Sequence, residues 1–119
     1  MATAQETLGQ ISDVGGYVGS CIVDSESGMM LAADGGGPVN LELAAAGNTE
    51  VVRAKRATMR SLDLDDRIDD ILITLDKQYH LIRPVTNNDA LFIYVVIDKK
   101  ANLAMARHAL AGAEKDLVI

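Results

Sequence analysis

A chain of 119 residues, 49% hydrophobic and 24% charged, suits one folded domain and excludes an extended disordered chain. A net charge of −6 repels a phosphate backbone and makes nucleic acid a poor partner. Aromatic residues amount to 3% with no Trp, which leaves neither a base-stacking surface nor an aromatic-lined pocket.

Thr3 to Asp13 reads as a first helix: Thr3 and Glu6 have capping-box spacing, and Leu8 and Ile11 lie three apart. Val14-Gly15-Gly16 ends it. Tyr17 to Asp24 is a strand, with Gly19, Cys21 and Val23 on one face and Val18, Ser20 and Ile22 on the other. Asp24 to Gly28 is turn chemistry, and Met29 to Ala33 is the returning strand of a hairpin. The run Asp34-Gly35-Gly36-Gly37-Pro38 breaks that strand. It lacks the Gly-Lys-Ser/Thr ending of a phosphate-cradling loop and reads as a connection.

Asn40 is placed to cap a long helix from Leu41 to Leu62, with Glu42 in its first turn and Arg53, Lys55, Arg56 and Arg60 toward its end, as the dipole favours. At about 100° per residue, Leu41, Ala44, Ala45, Val51, Val52, Met59 and Leu62 gather on one side, the face that should cover a sheet. The opposite side carries Leu43, Ala46, Gly47, Glu50, Ala54 and Ala57, mostly small. Gly in a helix interior costs about 1 kcal/mol against Ala, so the space at Gly47 suggests close approach of another backbone. Asn48 and Lys55 fall on the bulky side, where a core face should be apolar. They could mark an interface edge instead, which would rotate the assignment.

Five aspartates follow within Asp63 to Asp70. They lack the spacing of a Ca²⁺ loop and read as solvated. Three strands come next, Ile71–Leu75, Tyr79–Val85 and Ala90–Ile97, joined by turns at Lys77-Gln78 and Thr86 to Asp89. Ile71, Ile73 and Leu75 make the first of these apolar on its outer face as well, and they join the small-residue face as the second part of an expected interface. The run Leu91 to Ile97 is the most continuously apolar and should be the central strand. A last helix, Lys100 to Glu114, has a stripe of Leu103, Ala106, Leu110 and Ala113, with Arg107 and His108 facing water. Asp116 to Ile119 is a short apolar tail.

The order α-β-β-α-β-β-β-α implies an α+β domain over residues 1–119, with one five-stranded, mostly antiparallel sheet and helices packed on it. No catalytic or metal-ligating pattern stands out. Cys21 lies in a strand, His80 in another and His108 on a polar face, without nucleophile or zinc spacing. The expectations are no catalytic residue, no cofactor and no metal. A lone Cys fits a reducing compartment. With no basic-then-apolar leader at Met1 to Glu6 and no apolar run near about 20 residues, a cytoplasmic location without a membrane span is expected.

Several stretches resemble the Roadblock/dynein light-chain family. They are Gly16 to Gly19 leading into Cys21-Ile22-Val23-Asp24, the Ser27-Gly28 turn, Leu43 to Gly47, Ile71 to Leu75, and Asn102 to Arg107. The resemblance spans about Leu8 to Leu110. It implies a Roadblock/profilin-like fold and a homodimer formed through the middle helix and the strand after it. It further implies a bacterial regulatory platform for a Ras-like small GTPase, similar to the GTPase-activating partner of the gliding-motility GTPase. It carries over no catalytic residue. Two other readings compete: a PAS-like small-molecule sensor or a purely self-assembling module, and an enzyme built on Cys21 or His80.

Overall fold

A computed structural model describes residues 1–118. The elements run α1 (Ala4–Ile11), β1 (Tyr17–Asp24), β2 (Met29–Gly35), α2 (Leu41–Ser61), β3 (Ile71–Thr74), β4 (Gln78–Val85), β5 (Asn88–Asp98) and α3 (Leu103–Asp116). The strands form one sheet in the order β2-β1-β5-β4-β3, and every neighbouring pair is antiparallel. β5 is central, as its unbroken apolar run predicts: Leu91 through Ile97 are all buried.

Alternation along the strands divides the core into two layers. Ile22, Leu81, Ile93, Val95 and Ile97 face α1 and α3, where Leu8, Ile11 and Leu110 meet them. Cys21, Val23, Ile82, Phe92, Tyr94 and Val96 face α2, which supplies Leu41, Ala45 and Val52. The result is a helix–sheet–helix sandwich.

Several boundaries differ from the sequence expectation. β2 continues through Asp34 and Gly35, because Gly36 folds back and donates its N–H to Val18 O at 2.9 Å. Gly19 of β1 permits this approach, since a Cβ there would overlap the Gly36 backbone. Val85 pairs with Asn88, so the expected four-residue turn shrinks to Thr86-Asn87 and β5 begins two residues early. β4 begins at Gln78, and β3 stops at Thr74, one residue short. α1 is shorter than expected, with its Thr3–Glu6 capping box in place. α3 starts at Leu103 rather than Lys100, because residues 98–101 form a turn and Asn102 is the cap. It then runs through Gly112 to Asp116. The tail docks at Leu117, which is buried and bridges in parallel to Ala2; Ile119 lies outside the described residues.

One buried ion pair ties α3 to the sheet. Glu114 accepts from Arg83 Nε at 3.0 Å, from Thr86 N at 3.2 Å and from the Thr86 hydroxyl at 2.9 Å. Four lone-pair sites on one carboxylate thus meet three donors, which offsets its desolvation.

Candidate functional site

The surface formed by α2 and β3 is where this fold leaves apolar groups uncovered. α2 begins at Asn40, whose side chain accepts from Leu43 N at 3.1 Å. Its buried residues, Leu41, Ala45, Thr49 and Val52, recur at helical spacing and end at Val52. The Thr49 hydroxyl is satisfied within the helix by Ala45 O at 2.7 Å. Beyond Val52 the helix has no fully buried side chain among the described residues. It packs on β1 and β2, at one side of the sheet, and leaves the α2 side of β3 open.

Only part of the bulky side of α2 covers the core. Ala44 packs half-buried against the core beside Leu41, Ala45 and Val52, as expected, but Val51, Met59 and Leu62 do not cover it. Val51 is 36% exposed and Leu62, the C-cap, is 62% exposed. They form a flank of α2 that looks across the sheet toward β3. A groove of about 480 Å³ separates the two, lined by Val51, Lys55, Met59, Leu64 and Ile71. Val51, Lys55 and Met59 are four apart, one helical ridge. Helical spacing carries that signal, but in sequence this flank is continuous with the core face. Asn48 and Lys55, the two polar residues that fitted the core face badly, are part of the same flank.

The residues expected at an interface fall into three settings. Leu43, Gly47 and Ala54 point away from the sheet; Leu43 is 71% exposed and a Cβ on Gly47 would meet open space. Ala46 and Glu50 lean toward the β1–β2 turn. Ala46 lies under Gly28, and Glu50 pairs with Arg53 at 3.3 Å, which donates to Glu26 O at 2.6 Å. Ala57, one turn beyond Arg53, is exposed. On β3, Ile71 and Ile73 are half-buried and share the α2 side of the sheet with their partners Ile82 and His80. Leu75 lies just past the strand and is exposed, though its N–H still reaches Gln78 O at 2.9 Å. β3 is the last strand of the sheet, so its outer edge carries unpaired backbone groups.

The approach to β3 is fixed from the opposite layer. Arg107 of α3, expected to face water, grips Asp70 with two bonds, Nε to Oδ2 at 3.1 Å and Nη2 to Oδ1 at 2.8 Å. That fork holds the Arg107 pKa above its ordinary value. Asp70 is therefore not part of a freely solvated loop.

Behind the groove lies a polar pair. His80 Nδ1 meets the Tyr94 hydroxyl at 3.0 Å and Nε2 meets Gln78 Oε1 at 3.0 Å, with the Tyr94 ring edge-on to the imidazole. Gln78 Oε1 can only accept, so Nε2 donates and Nδ1 accepts from Tyr94: the neutral ring fits. Burial lowers the His80 pKa and pushes the Tyr94 hydroxyl up to about 12. Cys21 is fully buried and its thiol is pushed up to about 12 by burial, the opposite of an activated nucleophile. Both ring nitrogens of His80 are taken by other partners, so no Cys–His pair forms. Among the described residues no group of three His, Cys, Asp or Glu side chains is gathered around a metal-sized space, and no helix is long and apolar enough to cross a membrane.

The architecture has solved counterparts. A Roadblock/LC7 domain from Streptomyces avermitilis superposes with a TM-score of 0.82 at 14% identity, covering 96% of this chain and 93% of that one. MglB of Myxococcus xanthus matches with a TM-score of 0.83 at 12% identity, over 94% of this chain and 82% of that one. The chain has the Roadblock/LC7 fold. A third structure, an MglB with a tetrameric arrangement, matches with a TM-score of 0.71 at 18% identity, over 93% of this chain and 87% of that one. No family model matches the sequence, and no curated protein matches it. At such identities the Roadblock/LC7 likeness is one of backbone arrangement, carried by helix and strand placement rather than by shared side chains.

Proposed function

We infer that this chain is a non-enzymatic regulatory platform that self-associates through α2 and β3 and presents the joined surface to a Ras-like small GTPase. The observation that carries the self-association is the open apolar groove between α2 and the unpaired edge of β3. A second copy related by a two-fold axis would run its β3 antiparallel to this one and extend the sheet. Its α2 would come to rest against the Val51–Lys55–Met59 ridge. Leu43, Gly47 and Ala54 border that ridge and would allow the two helices to approach. That an MglB of the same fold is known in a tetrameric arrangement supports the reading.

The GTPase half of the proposal rests on the family resemblance of Gly16–Asp24, Leu43–Gly47 and Asn102–Arg107. Affinity capture from native lysate, with GDP and separately with a non-hydrolysable GTP analogue, tests it. Enrichment of one small GTPase in one nucleotide state is the expected result. Recovery of this chain alone in both states would reject the GTPase partner and leave a self-assembling module.

A further inference from the structure

At the C-terminal end of α2 a second cleft adjoins the groove. It lies between that helix end, the segment 63–70 and the β4–β5 turn, and its volume is about 560 Å³, within the usual range for small-molecule sites. Three guanidinium groups line it: Arg56 and Arg60 from α2, and Arg67 from the acidic segment. Among the described residues none of the three has a carboxylate within ion-pair distance, although the chain carries 17 acidic residues. Cations near a helix C-terminus complement its dipole, which accounts for Arg60. It does not account for Arg67, which belongs to another segment, or for half-buried Arg56, more than a turn from the end.

Arg67 is also positioned. Its Nη2 donates to the Thr86 hydroxyl across the cleft at 3.3 Å, and that hydroxyl donates to buried Glu114 at 2.9 Å. The remaining wall is mixed. Asp66, Asp89 and Asn87 offer hydrogen-bond acceptors, and Met59, Leu64 and Pro84 form apolar surface. Guanidinium forks match phosphate oxygens, and carboxylates accept from hydroxyl groups. We propose that this cleft binds a phosphorylated small molecule with a hydroxylated body, of the sugar-phosphate or nucleotide kind. The phosphate lies against Arg56, Arg60 and Arg67, and the hydroxyls lie against Asp66, Asp89 and Asn87.

Calorimetric titration of the full chain with glucose 6-phosphate, AMP, inorganic pyrophosphate and glucose tests the site without any protein partner. Saturable one-to-one binding of glucose 6-phosphate or AMP is expected, with no heat from glucose. Arg60→Ala and Arg67→Ala should each weaken it about tenfold. Both side chains are exposed and free of ion pairs, so these variants keep the fold. Arg53→Ala, about two turns before Arg60 on the same side of α2 but outside the cleft and engaged with Glu50 and Glu26 O, should leave binding unchanged. Binding of glucose 6-phosphate alone identifies a sugar phosphate, and of AMP alone a nucleotide. The site is overturned by failure of both to saturate, by unchanged affinity in either arginine variant, or by pyrophosphate binding as tightly as the organic phosphates.

Discussion

Glu114 is a carboxylate buried almost completely, and its stability depends on every donor around it. Removing it leaves Arg83, itself only 16% exposed, without its counter-charge and the Thr86 N–H without an acceptor. Breaking a buried pair in this way costs about 3 kcal/mol or more. Glu114→Ala should therefore show that loss in urea denaturation, while Glu50→Ala, in an exposed pair with Arg53, should stay within about 0.5 kcal/mol of the parent. His80 makes a pH prediction. Its folded pKa lies below the ordinary 6.5, so the unfolded chain binds the extra proton first. The stability it contributes is present above 6.5 and is lost as pH falls from 6.5 toward the folded value. The melting temperature of the parent should fall between about pH 7 and pH 5.5, and His80→Gln should remove that part of the fall. Acid loss from Glu6, whose pKa is lowered by its capping bonds to Thr3, belongs to a lower window, beneath 4.5. The neutral pairing of His80 with Tyr94 was not visible in sequence. A strand His can face either layer, and its partner is contributed by a strand 14 residues away.

The helices are the elements that sequence describes best. Asn40 caps α2 as its place before Leu41 suggests, while Asn102 caps α3, which starts three residues past the expected Lys100, each accepting from the backbone N–H three residues on, at 3.1 Å. Asn40→Ala should cost about 1 kcal/mol in chemical denaturation. The unequal packing of α2 gives a further expectation. Its first half is anchored by Leu41, Ala45 and Val52, while its second half lies over the groove. In hydrogen exchange on dilute protein, the amides of Arg56 to Ser61 should exchange faster than those of Ala45 to Val52. Equal protection along the helix would mean that the second half is covered. Strand ends were less legible, because a strand stops where its neighbour stops, and that neighbour is chosen by the sheet. β2 gained Asp34 and Gly35 from the fold-back at Gly36, and β5 gained Asn88 and Asp89 from continued pairing with β4.

For the molecule as a whole, self-association should appear in light scattering as twice the chain mass of 12.7 kDa. Three variants separate the two faces of α2. Val51→Arg would place charge in the groove beside Ile71. Gly47→Leu or Ala54→Arg would burden the outward face, which was the face first expected to meet a partner. If the two-fold arrangement through β3 holds, Val51→Arg should yield the monomer mass, and the outward variants should follow to the extent that the helices touch there. A dimer retained by all three would place self-association elsewhere, and the free edge of β2, with exposed Met29 and Leu31, would be the next surface to vary.

Element order, the caps of α1 and α2, the central place of β5 and the stripe of α3 were all set by local chemistry: hydrophobic period, capping side chains and turn residues lie within a few positions of the structure they cause. The pairing of β1 with β5, the position of α2 over β1 and β2, and the consequent exposure of Val51 and Leu62 were decided only in three dimensions. A helix face shows that it is apolar, but whether a sheet lies beneath it depends on where the helix crosses that sheet. The same holds for the three arginines, which the chain separates by up to 11 positions and the turn after α2 brings to one cleft.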